Sequence, residues 1–109
     1  MKPKLRVWLV FRDRVKIGAG RAELLESIDT SGSIKAAAEQ FGMSYRYVWG
    51  YLRELEEAAG FQFFVRQRGG GRIGGAHLTP RGKAFLAQYR RFQHRLEAAA
   101  DREFRRFFR

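Results

Sequence analysis

Three features of this 109-residue sequence predict a mostly α fold with a small β-sheet. Two short helical segments meet at a glycine turn, a glycine-rich loop joins two short apolar runs, and an apolar seam of helical spacing continues to the C-terminus. The sheet begins early. In residues 5–12, Leu5, Val7, Leu9 and Phe11 share one face at period two, with β-branched and aromatic neighbours, which predicts a strand. Beyond Gly18 and Gly20, residues 21–29 carry Leu24, Leu25 and Ile28 among acidic and polar residues, and Ser31-Gly32 ends what reads as a first helix.

Ser33 is an N-cap for a second helix, in which Ile34, Ala37, Ala38 and Phe41 follow i, i+3, i+4, i+7 and Gly42 supplies the stop. Met43 alone separates that glycine from Ser44, the next cap. The third helix, residues 45–59, places Val48, Leu52, Leu55 and Ala59 on its inward face, and at about 100° per residue Arg46, Gly50 and Arg53 point the other way. Two helices joined so tightly form a helix-turn-helix, and the small pair Ala37-Ala38 lets them cross closely.

Phe63, Phe64 and Val65 read as a strand and Ala76, His77 and Leu78 as its return partner. Between them residues 66–75 read Arg-Gln-Arg-Gly-Gly-Gly-Arg-Ile-Gly-Gly, with five glycines in the seven positions 69–75, which predicts a hairpin wing. Thr79 as cap and Pro80 at the first helical position start a final helix that can run to the C-terminus. Phe85, Tyr89, Phe92, Leu96 and Ala99 alternate at spacings of 4 and 3, a narrow seam of the kind that pairs helices. The whole is a winged helix-turn-helix with a long C-terminal dimerisation helix. The expected division is a winged helix-turn-helix DNA-binding domain over residues 1–84 and, over residues 85–109, the part of the last helix expected to join two copies.

Charge points to the partner. Twenty-two Lys and Arg against eleven Asp and Glu leave a formal charge of +11, which calls for a polyanion. A membrane surface is the competing polyanion, but it needs either a span of roughly 20 apolar residues or a strongly amphipathic interfacial helix; no stretch provides the former, and a membrane partner is not expected. The basic and apolar start resembles a signal peptide only superficially, since Arg12, Asp13, Arg14 and Lys16 break the run, and the cytoplasm is the expected compartment. With no cysteine, and with His77 and His94 isolated from further ligands, neither a disulfide nor a metal site is expected. No motif asks for a cofactor. The wing lacks the Gly-x-x-x-x-Gly-Lys-Ser/Thr pattern of a nucleotide cradle and is not followed directly by a helix, and no catalytic constellation has sensible spacing, so an enzyme is not expected.

The expected DNA-binding residues follow from placement. Arg46 and Arg53 lie on the exposed face of the third helix, whose first half is free of the acids Glu54, Glu56 and Glu57. Gly50 costs about 1 kcal/mol relative to Ala inside a helix, so close approach of DNA or of a neighbouring helix is its expected reason. Ser44 caps this helix, Tyr45 keeps a hydroxyl for a phosphate oxygen, Trp49 flanks the buried stripe as partial core, and Lys35 sits early in the second helix. Arg66, Arg68 and Arg72 arm the wing for phosphate or minor-groove contact, with no acid between residues 66 and 83.

Ser31-Gly32-Ser33-Ile34, the alanine run, Gly42-Met43-Ser44-Tyr45-Arg46, Trp49, the wing at 68–75 and Leu78-Thr79-Pro80-Arg81-Gly82 together resemble the N-terminal domain of molybdate-responsive regulators of the ModE type. The likeness runs over residues 20–90, with a weaker one to the LysR-type DNA-binding domain. It implies that Ser44, Tyr45, Arg46, Trp49 and Arg53 belong to the recognition helix and that the Arg-Gly wing makes a second contact. It also implies a first strand beside the wing hairpin and a homodimer on a two-fold operator, with half-sites one helical turn or a multiple apart. Full-length relatives carry molybdate-binding domains, whereas this chain ends in a helix and none is evident in it, so a molybdate link is implied by resemblance alone. The function expected is sequence-specific regulation of transcription on double-stranded DNA. The alternative is a nucleoid-type architectural protein with little sequence preference, for which the +11 charge alone would suffice.

Overall fold

The computed structural model describes residues 1–67 and 75–109. The elements run β1 (Leu9–Phe11), β2 (Val15–Ile17), α1 (Ala19–Ser31), α2 (Ile34–Gln40), α3 (Tyr45–Ala59), β3 (Phe64–Gln67), β4 (Gly75–Leu78) and α4 (Pro80–Phe107). This is a winged helix-turn-helix carrying a long C-terminal helix. The three serine and threonine caps form as their positions dictate: Ser33 Oγ accepts from Ala36 N–H, Ser44 Oγ from Tyr47 N–H and Thr79 Oγ1 from Gly82 N–H. Gly42, at φ 65°, makes the left-handed turn that reverses the chain between α2 and α3, a conformation a side chain would strain.

The N-terminal strand is shorter than the alternation predicts, and its partner is one that the sequence pattern does not reveal. β1 pairs antiparallel with β2, Leu9 opposite Ile17 and Phe11 opposite Val15. Arg12 and Asp13 both adopt positive φ in the connecting turn, and Arg14 N–H closes it on Phe11 O at 3.1 Å, the geometry of a type I′ turn. Residues 5–8 have no strand to pair with and instead run beside α4, where Tyr89 donates its hydroxyl to Val7 O at 2.9 Å. β3 and β4 form a separate two-stranded sheet, Phe64 opposite Leu78, so the first strand does not lie beside the wing hairpin as the resemblance implies. That sheet is extended by one bridge from Ser33 to Gly75, with Ala76 N–H donating to Gly32 O at 3.1 Å.

One core joins all of these elements. Ile17, Leu24, Leu25, Ile28, Ile34, Ala37, Val48, Leu52, Leu55 and Phe63 are fully buried, and Ala37 and Ala38 fill the α2 contact. At the end of α3 the buried residue is Ala58, three residues on from Leu55, and Ala59 is only partly buried, steps of three and four both lying within the helical stripe. Side-chain carboxylates brace the joints. Asp29 accepts from Leu78 N–H at 2.8 Å, tying α1 to β4, and Glu26 receives Arg90 of α4 at 2.7 Å. That hydrogen bond is the main reason the Arg90 pKa is raised.

Candidate nucleic-acid interface

The face of α3 opposite the core is bare. Arg46, Gly50 and Arg53 are all exposed along one ridge, and neither arginine forms an ion pair among the described residues. A Cβ built on Gly50 would meet nothing within 4 Å among the described residues, so no packing contact there accounts for the glycine. Ser44, committed to its cap through its acceptor lone pair, keeps its hydroxyl proton at the head of this ridge. Lys35 is exposed in the first turn of α2.

Each flank of the ridge is aromatic and backed by an arginine. On the wing side Tyr45 is exposed and meets Trp49 edge-on at 6.2 Å, and Trp49 is half-buried beneath the Arg66 guanidinium at 4.3 Å. Arg66 is also paired at 3.2 Å with Glu56, whose other oxygen accepts from Phe63 N–H at 2.7 Å and Phe64 N–H at 3.1 Å. Glu56 is therefore a joint between α3 and β3 rather than a solvated charge, and it neutralises Arg66. Although Arg66 stands at the base of the wing, it is not a free cation.

On the opposite flank Arg21 of α1 lies over Tyr51 at 5.0 Å and Tyr47 at 5.5 Å and donates to the Tyr47 hydroxyl at 2.7 Å. Tyr51 donates to Lys16 O of β2 at 2.6 Å. Burial pushes the Tyr51 phenol well above its ordinary value, against a smaller opposing effect of Arg21, and so it remains a neutral donor. Of the wing arginines, Arg68 and Arg72 lie outside the described residues. Past the wing, the exposed Arg81 stacks on Phe61 at 4.3 Å.

The seam of α4 divides in two. Phe85 packs against Phe11, Phe61 and Phe63, and Tyr89 is fully buried with its hydroxyl on Val7, so both make their contacts inside the chain. Phe92 is 45% exposed, while Leu96 and Ala99 are half-buried.

Residues 20–83 match the family described as bacterial regulatory helix-turn-helix protein, lysR family. The chain belongs to this lysR family. Its helix-turn-helix is similar to that of Molybdenum transport protein ModE of Azotobacter vinelandii, with 35% identity over 82 residues, covering 75% of this chain and 30% of that protein. It is also similar to Molybdenum-pterin-binding protein MopB of Rhodobacter capsulatus, at 36% over 78 residues, 72% of this chain and 29% of that one. The DNA-binding transcriptional dual regulator ModE of Escherichia coli is 29% identical over 89 residues, 82% and 34% of the two chains. This chain thus spans about a third of the length of these relatives. The fold matches the crystal structure of the CbnR_DBD-DNA complex with a TM-score of 0.58 at 24% identity, over 77% of this chain and 91% of the other.

The lysR-family segment includes the ridge on α3 and the Glu56 joint, but Trp8 and the whole β1–β2 hairpin precede it. Arg21, Tyr47 and Tyr51 were not among the expected site residues. Their signal was present in part: Tyr47 and Tyr51 recur one turn apart on the flank of α3, as Tyr45 and Trp49 do on the other. What places Arg21 between them is tertiary packing.

Proposed function

We propose that this chain is the DNA-binding module of a sequence-specific transcriptional regulator, in which the first half of α3 enters the major groove. The ridge of Arg46, Gly50 and Arg53 carries this reading: two arginines with no ion pair among the described residues stand on either side of a glycine whose bareness no described neighbour requires. Arg is the residue that reads guanine edges bidentately, and a missing side chain between two such readers lets the helix seat deeply. Ser44, Tyr45 and Lys35 supply flanking phosphate contacts, and Arg68 and Arg72 extend the grip through the wing. Two copies join through the exposed stretch of α4 around Phe92 and Leu96. They act in the cytoplasm as a regulator and not as an enzyme. The names of the relatives connect the reading with molybdenum handling, and their helix-turn-helix similarity supports the same placement here.

The test is selection from a random duplex pool at physiological salt. The reading expects a two-fold motif bound at least about a thousandfold tighter than scrambled DNA. Tight binding with no enriched motif would instead favour the architectural alternative, and no duplex binding at all would refute both.

A further inference from the structure

Beside α3, on the side away from the wing, an open groove of ≈ 470 Å³ runs between the β1–β2 hairpin and the starts of α1 and α3. Its N-terminal end is lined by Trp8, Lys16, Arg21 and Tyr47. Trp8 is more than half exposed, and its indole is seated so closely against Gly18 that a Cβ there would collide with its Cδ1. Lys16 Nζ stands 5.2 Å from the centre of the same indole. Among the described residues neither Lys16 nor Arg21 forms an ion pair, in contrast to Arg66 on the other flank. The Tyr47 hydroxyl accepts from Arg21, so its own proton is left to donate outward. Three donors that hold no carboxylate among the described residues therefore line one groove together with an apolar ring.

We propose that this groove seats a phosphate and its deoxyribose from the DNA strand that borders the major groove on the side away from the wing. Lys16, Arg21 and Tyr47 hold the phosphate, and the Trp8 indole lies against the sugar. The β1–β2 hairpin is then a second clamp, so that α3 is gripped on both flanks. Continuity decides the occupant. Tyr47 stands in the first turn of α3, beside the base-reading ridge, and the groove is open along its length as a polymer backbone requires. At the far end Glu54 faces the groove, with Arg14 beside it held to Glu57 at 3.4 Å, so the phosphate is confined to the Arg21 end. This inference rests on the DNA-binding reading.

The experiment uses the full chain and a mixed-sequence duplex of about 30 base pairs. Lys16 is chosen because its side chain is exposed, rests only near the Trp8 ring at 5.2 Å and forms no ion pair among the described residues. Lys16→Ala is expected to lower the slope of log affinity against log salt by about 0.9, the share of one phosphate, and Lys16→Arg to restore it. In parallel, acetylation of Lys16 is expected to be blocked by the duplex and not by inorganic phosphate at equal phosphate concentration. An unchanged slope, or acetylation at the free rate in a saturated complex, would overturn the clamp while leaving DNA binding by α3 intact. Protection by inorganic phosphate alone would overturn it in favour of a free-anion site. A wild-type chain that binds no duplex would refute the underlying reading as well.

Discussion

At the scale of single residues, the side chains that matter are those whose polar atoms are accounted for by only one arrangement. Glu56 satisfies two backbone N–H groups and the Arg66 guanidinium with one carboxylate. Glu56→Ala strands those donors at a partly buried joint, so a loss of about 2–3 kcal/mol is expected, read as a lower urea midpoint. Tyr51 makes a prediction about pH. Its folded pKa is raised, so the unfolded chain releases the phenolic proton first as pH climbs past about 10. Stability from this group is complete below that pH and is lost as pH rises from there toward the folded pKa. Tyr51→Phe should flatten the fall in melting temperature between neutrality and strong alkali, and an equally steep fall in the variant would contradict the assignment. The ridge was legible because Arg46, Gly50 and Arg53 share a phase on a helix bounded by clear caps. Glu56 was not, because nothing in the spacing of acids shows which of Glu54, Glu56 and Glu57 turns inward to meet the next strand.

At the scale of elements, the helices were legible and the first hairpin was not. Ser33, Ser44, Thr79 and the glycine stops are local signals, and each acts within a few residues of its own position. The β1–β2 turn instead places Arg12 and Asp13 at φ 50° and 57°, where Asn-Gly is the usual pair, so no turn signal interrupts the alternation. That strain makes a prediction. Asp13→Gly relieves a left-handed side-chain residue and is expected to stabilise the fold by about 0.5–1 kcal/mol, a few degrees in melting temperature. No gain would mean that the turn is relaxed by contacts to Asp13 itself. The end of α3 teaches the same lesson: a step of three from Leu55 to Ala58 and a step of four to Ala59 both fit the helical period, and the fold buries Ala58.

At the scale of the whole molecule, α4 sets the shape. Its 28 residues extend about 42 Å at 1.5 Å each, along a molecule measuring 59 × 27 × 23 Å. The 4-3 seam was visible in the sequence, but periodicity cannot tell which part is used by the chain's own core and which part is left for a second copy. Phe85 and Tyr89 are occupied internally, so the proposed dimer contact falls on Phe92, Leu96 and the helical turns C-terminal to them. Leu96→Asp is accordingly expected to shift the chain from dimer to folded monomer in analytical ultracentrifugation, with helical circular dichroism retained. A variant that stays dimeric would place the contact elsewhere. Dimerisation would also set two α3 ridges about a two-fold axis, which couples shape to the palindromic operator expected.

The central claim, that the bare ridge of α3 reads base sequence, is tested most directly by one ratio. Affinity for the selected duplex divided by affinity for its scrambled counterpart would be measured at one salt concentration for the wild-type chain and for Arg46→Ala. A bidentate base contact is worth about 1–3 kcal/mol of discrimination, so the ratio should fall about tenfold or more in the variant while binding to scrambled DNA changes far less. An equal loss on both duplexes would show Arg46 to be a phosphate contact and would contradict base reading by this face.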